Sequence, residues 1–232
     1  MWYNFEMKTI LISGGSDGLG KALAQKLSPK YTVIILANDA EKTQQTAKEI
    51  GCDFAIADVS DYKQVEKAVS EIIKKHKNID YLVNNSGLWI EGMLEKNDSE
   101  QIKRVMDVNT TGTIFLTHAV LPHMKQKKKG RIINVISQAG LTAKAEKAVY
   151  YASKWALTGF TKSLDLELLP YNVSVVGFYP GPMKTSFFEK AGIKKDQSEY
   201  LELDDVTRAL EFIIETKDDV NIPELGVKPA WY

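Results

Sequence analysis

Short apolar runs alternate with stretches of helical spacing along the chain. The first run, Lys8–Ser13, carries Ile10, Leu11 and Ile12 without a polar break and ends at Gly14-Gly15. An unbroken apolar run of this kind reads as a strand buried on both faces. Gly18–Leu27 follows with Leu19, Ala22, Leu23 and Leu27 on one side, a helix that Pro29 closes. Further strands are predicted at Tyr31–Ala37, Asp53–Ala57, Ile79–Val83, Arg131–Ile136, Val173–Phe178 and Ile222–Val227. Helices fall between them at Glu41–Ile50, Asp61–His76, Asp98–Met124, Val149–Leu169 and Asp204–Thr216. Asp98 with Gln101 opens the longest helix as a capping box, and Pro170 stops the next. Such alternation requires right-handed crossovers and a parallel sheet covered on both faces. The predicted class is α/β: a single-domain, doubly wound sheet of about seven strands.

Composition adds bounds rather than new elements. The chain has 232 residues, 44% of them hydrophobic, which suits one domain with a full core. We expect that domain over residues 8–232, with residues 1–7 as a leader and a substrate lid at 186–200. The aromatics Trp2, Tyr3 and Phe5 either pack on the domain or belong to that leader, which lacks the pattern of a signal peptide. The formal net charge is zero, so no nucleic-acid partner is expected. No apolar run approaches the roughly 20 residues that span a bilayer, so no membrane partner is expected either. Cys52 is the only cysteine, which points to a reducing, cytoplasmic setting. His76, His118 and His123 have no metal-ligand spacing, and no metal is expected. The run Lys125-Gln126-Lys127-Lys128-Lys129 reads as a solvated helix end.

The chemistry centres on Tyr150 and Lys154, four residues apart and so one turn apart on one helix face. A phenol titrates near pH 10, and a neighbouring ammonium pulls that value down. The pair is therefore an acid/base candidate near neutrality, although the same spacing also arises by chance in helices. Ser13-Gly14-Gly15-Ser16-Asp17-Gly18-Leu19-Gly20 links the first strand to the first helix. Glycines there let the backbone turn and approach a phosphate, and the helix N-terminus offers amide donors. The alternative is a plain strand–helix turn. Asp58-Val59 follows the third strand, where a carboxylate either accepts an adenine amino group or caps the next helix. Asn84-Asn85-Ser86-Gly87 follows the fourth strand, as a pin between loops or as an ordinary turn. Asn109 lies inside the predicted long helix, where asparagine is a poor choice and hints at function. Ser137 ends the fifth strand, placed to hydrogen-bond a substrate oxygen.

Taken together these residues closely resemble the short-chain dehydrogenase/reductases. The resemblance rests on Gly14, Gly18 and Gly20, on Asp58 and Val59, on Asn84, Asn85 and Gly87, and on Asn109, Ser137, Tyr150 and Lys154. Pro180, Gly181 and Thr185 complete it, all in the family's order; Ser86 stands where the family usually has alanine. The resemblance implies an NAD(P)-dependent oxidoreductase that interconverts a secondary alcohol and a ketone. Tyr150 would exchange the proton, Ser137 would hold the same oxygen, and Lys154 would bind the nicotinamide ribose. Asn109 would hold a water of a proton relay, and Thr185 would bond the nicotinamide carboxamide. Ser16, Asp17, Leu19 and Asn38 join the expected cofactor contacts. The rival from another class is a dinucleotide-binding regulator or redox sensor without turnover.

NAD against NADP stays open at this point. The family's NAD enzymes usually carry Asp at the position of Ala37, and NADP enzymes often carry Arg at that of Asn38. Asp17 would repel a 2′-phosphate and Lys42 would reach one, while Asn38 with Glu41 also reads as a helix cap. The substrate pocket should involve Trp89, Ile90, Glu91, Gln138, Lys144 and Lys147, with Phe187 and Phe188 as pocket walls or as helix-core aromatics. Lys190, Lys194 and Lys195 favour an acid, the two phenylalanines an apolar group. The helices Asp98–Met124 and Val149–Leu169 carry more apolar surface than one sheet face needs. A homodimer or homotetramer through these helices is expected, unless the chain's own termini cover that surface.

Overall fold

In a computed structural model, which describes residues 7–231, the seven strands form one all-parallel sheet in the order β3-β2-β1-β4-β5-β6-β7. They are β1 (Thr9–Ser13), β2 (Thr32–Ala37), β3 (Asp53–Ile56), β4 (Tyr81–Asn84), β5 (Gly130–Val135), β6 (Val173–Pro180) and β7 (Glu224–Val227). The doubly wound class read from the alternation is the one observed. Strand side chains point alternately to the two faces, and this splits the core in two. Leu11, Ile34, Leu36, Leu82 and Ile132 face one layer, and Ile10, Ile12, Ile35, Val83, Ile133 and Val176 face the other. The first layer is closed by α3 (Tyr62–His76), α5 (Gly112–Lys127) and α6 (Ala148–Leu168). The second is closed by α1 (Gly18–Leu27), α2 (Ala40–Ile50) and α7 (Leu203–Glu215). Strand order reverses between β1 and β4, so their carboxyl ends diverge and leave a crevice there.

The predicted single helix Asp98–Met124 is two helices in register. The first, α4 (Ser99–Met106), is capped by Asp98 through a bond from the Gln101 amide, as the sequence pattern required. A π-helical turn at Asp107–Thr111 then widens the spiral, with the Gly112 amide bonded to the Asp107 carbonyl, before α5 continues. The widened turn explains the residues that looked wrong for a helix. A Cβ on Gly112 would lie 2.7 Å from Val59 Cγ2, so only glycine lets α5 approach the loop after β3. Such π turns occur mostly where function needs a side chain re-aimed. The caps also differ from expectation at two places. Asp39, not Asn38, caps α2 through the Lys42 amide, and Asp61, not Asp58, caps α3.

Arg131 is a buried charge with no carboxylate among its bonded partners. Its guanidinium donates to Ser174 Oγ and to the carbonyls of Ile213, Thr216, Lys217 and Val220. It thereby satisfies the orphan carbonyls at the C-terminus of α7 and ties that helix to β5. Arg131→Met should therefore cost about 3 kcal/mol in urea unfolding, since several buried acceptors lose a charged donor at once. A loss below about 1 kcal/mol would mean that water replaces the guanidinium without difficulty.

Candidate active site

The crevice at the switch point is a cleft of about 720 Å³. Of the expected catalytic and cofactor-contacting residues, all line it except Gly20 and Asn109, which are buried beneath. The glycine loop is shaped by close approach. A Cβ on Gly20 would stand 2.3 Å from the Gly14 carbonyl oxygen, and Gly14 itself has φ +64°. Asn85 fixes the loop: its Nδ2 donates to the carbonyls of Ser13 and Gly14, while its backbone amide donates to Ser13 Oγ. The reading of Asn85 as a pin between loops is the observed one. The amides of the α1 N-terminus and the glycine-lined space above them fit a dinucleotide phosphate.

Asp17 begins α1, accepting from the Gly18 amide at 2.7 Å. Its carboxylate also receives Lys42 at 2.6 Å and Lys190 at 2.7 Å, with Ser186 Oγ at 3.3 Å. Burial works to raise its pKa, but the bonds from Lys190, Lys42 and Gly18 outweigh that and hold it well below the usual carboxylate range. Asp17 therefore does not stand as a bare negative charge in the cleft. Two ammonium groups surround this one carboxylate. Asp58 is matched in the same way. Arg104 Nη2 lies 2.7 Å from its Oδ2, and Ser60 donates to its Oδ1 through both amide and hydroxyl. Burial raises the Asp58 pKa and these bonds outweigh it, keeping the carboxylate charged.

Tyr150 and Lys154 lie side by side as the spacing required, with Lys154 Nζ 5.9 Å from the centre of the Tyr150 ring. The Tyr150 ring packs against Trp89 at 4.3 Å between centroids. Lys154 is buried and donates to the Val135 carbonyl at 3.2 Å; no carboxylate stands beside it among the described residues. Burial alone pushes its pKa down to about 8. Ser137 closes the group from the end of β5, its Oγ accepting from the Ala139 amide at 3.1 Å. Its φ of +145° is one that L-residues rarely adopt, and such strain concentrates at functional sites.

Asn109 is held by the π turn between two parts of the site. Its Oδ1 accepts from the Leu88 amide at 2.7 Å, and its Nδ2 donates to the Leu88 carbonyl and to Ser153 Oγ, both at 3.0 Å. Thr110 adds a bond to the Ser153 carbonyl. The Asn109 amide thus joins the β4 loop to the helix that carries Tyr150 and Lys154, and both of its donor hydrogens are taken. Only Oδ1 keeps a lone pair for a water.

The segment after β6 crosses the cleft. Gln197 grips Thr185 from both sides, accepting from its amide at 3.0 Å and donating to its carbonyl at 3.1 Å. Lys195 pairs with Glu91 at 2.7 Å. Phe187 and Phe188 lie outside any α-helix and line the cleft with Trp89, so their helix-core alternative is corrected. Four other pocket expectations are corrected as well, Glu91 among them: it lies outside the lining, held by Trp89 Nε1 and Lys195. Ile90 is core, Gln138 is turned to the Tyr179 carbonyl, and Lys194 is exposed away from the lining. The sequence reading placed Gln197 in the lid without its bonds to Thr185, and it missed Arg104 and Trp231 as site residues, which meet Asp58 and the Glu199 carbonyl far away along the chain. No local pattern marks them, because their partners are chosen by the fold.

Residues 8–196 match the family model described as short chain dehydrogenase. The chain belongs to that family. It is 33% identical over 187 residues to 3-ketodihydrosphingosine reductase of Bacteroides thetaiotaomicron, covering 80% of this chain and 68% of that one. It is 34% identical over 200 residues to trans-4-hydroxycyclohexanecarboxylate dehydrogenase of Sinomonas cyclohexanicum, covering 81% and 76%. The solved closed form of serine dehydrogenase complexed with NADP+ superposes with a TM-score of 0.91 at 28% identity, over 97% of this chain and 96% of that one. This short-chain dehydrogenase is therefore an NAD(P)-dependent oxidoreductase. Among the described residues no helix is long and apolar enough to cross a membrane, and no group of His, Cys, Asp and Glu is arranged to hold a metal ion.

Lys154 makes a stability prediction with a definite sign. Its native pKa is about 8 against 10.5 in the unfolded chain, so the cost of its buried charge is full below pH 8. That cost fades as pH rises from 8 toward 10.5, where the native state has shed the proton. Without cofactor, Lys154→Met should be more stable than wild type at pH 7 by up to roughly 3 kcal/mol in urea unfolding. The margin should narrow by pH 9, and a margin independent of pH would show that the ammonium reaches solvent.

Proposed function

We propose that this short-chain dehydrogenase interconverts a secondary alcohol and a ketone, with Tyr150 as general acid and base. The observation that carries the reading is the buried, carboxylate-free Lys154 ammonium beside the Tyr150 ring. In the reducing direction the Tyr150 hydroxyl gives its proton to the carbonyl oxygen, which Ser137 Oγ holds. In the oxidising direction the Tyr150 phenolate takes that proton back. The Lys154 ammonium stabilises the phenolate and reaches toward the nicotinamide ribose. The bound dinucleotide supplies the hydride to the carbonyl carbon or accepts it from the alcohol. Asn109 holds the loop of Leu88 against α6 and offers Oδ1 to a relay water. Thr185, oriented by Gln197, faces the carboxamide.

NADP is the cofactor we favour. Ala37 brings no carboxylate to the end of β2, and Lys42 and Lys190, both on Asp17, bring two ammonium groups to that side of the lining, which would suit a 2′-phosphate. Serine dehydrogenase, 28% identical, was solved with NADP+. The lone cysteine, half-buried Cys52, suits a cytoplasmic enzyme.

Tyr150→Phe should lower kcat at least 100-fold, the lower end of what general acid/base catalysis supplies (~10²–10⁴). Calorimetry on the same variant should return an unchanged Kd for NADP+, tighter than that for NAD+. A variant that keeps a tenth of the wild-type kcat would remove Tyr150 from proton transfer. Cofactor binding without turnover by the wild type across alcohols and ketones would favour the regulator.

We also propose a homo-oligomer. The outer face of α6 exposes Ala152, Trp155, Ala156 and Gly159, with Leu166 beyond, and α5 adds Ile114. Trp231 lines the cleft instead of covering this stripe, and Trp2, Tyr3, Phe5 and Tyr232 lie outside the described residues. Light scattering at micromolar concentration should give two or four times 26.0 kDa. A monomer mass would overturn the assembly.

A further inference from the structure

The charges lining the cleft are sorted by position. Its carboxylates, Asp17, Asp39 and Asp58, all belong to the half built from the glycine loop, the end of β2 and the end of β3. Beyond Tyr150 the lining changes to aromatic rings with lysines at the rim, and among the described residues no carboxylate lines that half. Trp89, Phe187 and Phe188 form an edge-to-face cluster there, with ring centroids 4.9 to 6.2 Å apart. Lys144, Lys147 and Lys195 stand around it.

The three ammonium groups are not equivalent. Lys195 is bound to Glu91, whose other oxygen accepts from Trp89 Nε1 at 3.1 Å. Lys144 is exposed. Lys147 lies half-buried, 5.5 Å above the Trp89 ring, and among the described residues it forms no ion pair. Burial lowers its pKa most and the charge of Lys144 lowers it further; Glu91 opposes them, ahead of a smaller lowering by Lys195 and a smaller support from Glu146. Glu91 is taken by Lys195, so Lys144 and Lys147 are left facing only the exposed Glu146. Lys147 is also the residue that opens α6, whose first turn has no acidic side chain, so the helix field adds to the same potential. An ammonium held among like charges over an aromatic face gains most from an anion that arrives with the substrate.

We propose that the substrate is an acid: a carbonyl or alcohol compound whose apolar ring fills the Trp89–Phe187–Phe188 box and whose carboxylate, at the far end from the reacting carbon, pairs with Lys147 and Lys144. This rests on the reading of the site as an alcohol–ketone oxidoreductase. Distance sorts the two ends of the molecule: the oxygen that reacts meets Tyr150 and Ser137, and the charge stays at the rim. The same potential disfavours a ketone that carries an ammonium group.

The test is a charge series on one ring: a cyclohexanone carrying a para carboxylate, its methyl ester, and the aminomethyl analogue. With the reduced cofactor, kcat/KM for the acid should exceed that for the ester by about tenfold, the effect of one partly desolvated ion pair. The amine should be the poorest of the three. The preference should lie in KM and shrink as salt is raised, since the rim is open to solvent. In Lys147→Met the acid-to-ester ratio should fall toward one. A wild-type ratio at or below one, an unchanged ratio in the variant, or a preference for the amine would each overturn the proposal. Calorimetry of acid and ester on the complex with oxidised cofactor keeps the two readings apart. Acid-selective binding without turnover strikes the reaction and sustains the acid pocket. Turnover of all three at equal kcat/KM sustains the reaction and removes the acid pocket.

Discussion

A single buried ammonium sets the terms for this molecule. Lys154 sits in the interior between α6 and β5 with a backbone carbonyl as its hydrogen-bond partner and no carboxylate beside it. Water is lost to it, and a carboxylate partner would return that loss in stability but would also quench its field on Tyr150. The charge is therefore left uncompensated until ligands arrive. Everything else must hold the helix in place despite that cost. The π turn at Asp107–Thr111 does so with bonds from Asn109 and Thr110 to Ser153, one residue before Lys154.

The same turn connects two halves that the sheet alone would leave independent. Asn109 bonds the Leu88 backbone in both directions, and Leu88 follows the loop that Asn85 fixes against the glycine turn. Hydrogen bonds at both ends of the β4 loop thus tie the end of β1 to α6. The positions of the glycine loop and of Tyr150 are set relative to one another by these bonds.

Electrostatics divide the cleft along its length. Two of the three carboxylates on the dinucleotide side are matched, Asp17 by two lysines and Asp58 by Arg104 and Ser60, while Asp39 caps α2. On the other side the unmatched charges are positive. The segment after β6 belongs to both patterns, since Lys190 reaches Asp17 while Lys195 reaches Glu91. Its position over the cleft is therefore tied to the charge state of both ends.

The sequence alone determined the sheet, its helices and the residues at its switch point, because each rests on local periodicity or on contacts a few residues apart. Apolar runs such as Lys8–Ser13 have to be buried wherever they fall, and Tyr150 and Lys154 share a helix face in any fold that makes the segment helical. Asn109 was visible as a misfit for the same reason: propensity is a local property. The tertiary structure decided everything that depends on partners distant in the chain. Asp58 was equally a cap or a ligand contact by its neighbours, and its bond to Arg104, 46 residues away, made it neither a cap nor a bare charge. Asp17 was read as repelling a phosphate until Lys42 and Lys190 were found upon it. The close approach of α5 to Val59, which leaves no room for a Cβ at position 112, was visible only in the folded chain. Charge and packing act through space, so the sign of the potential at a residue is settled only when the chain has folded around it.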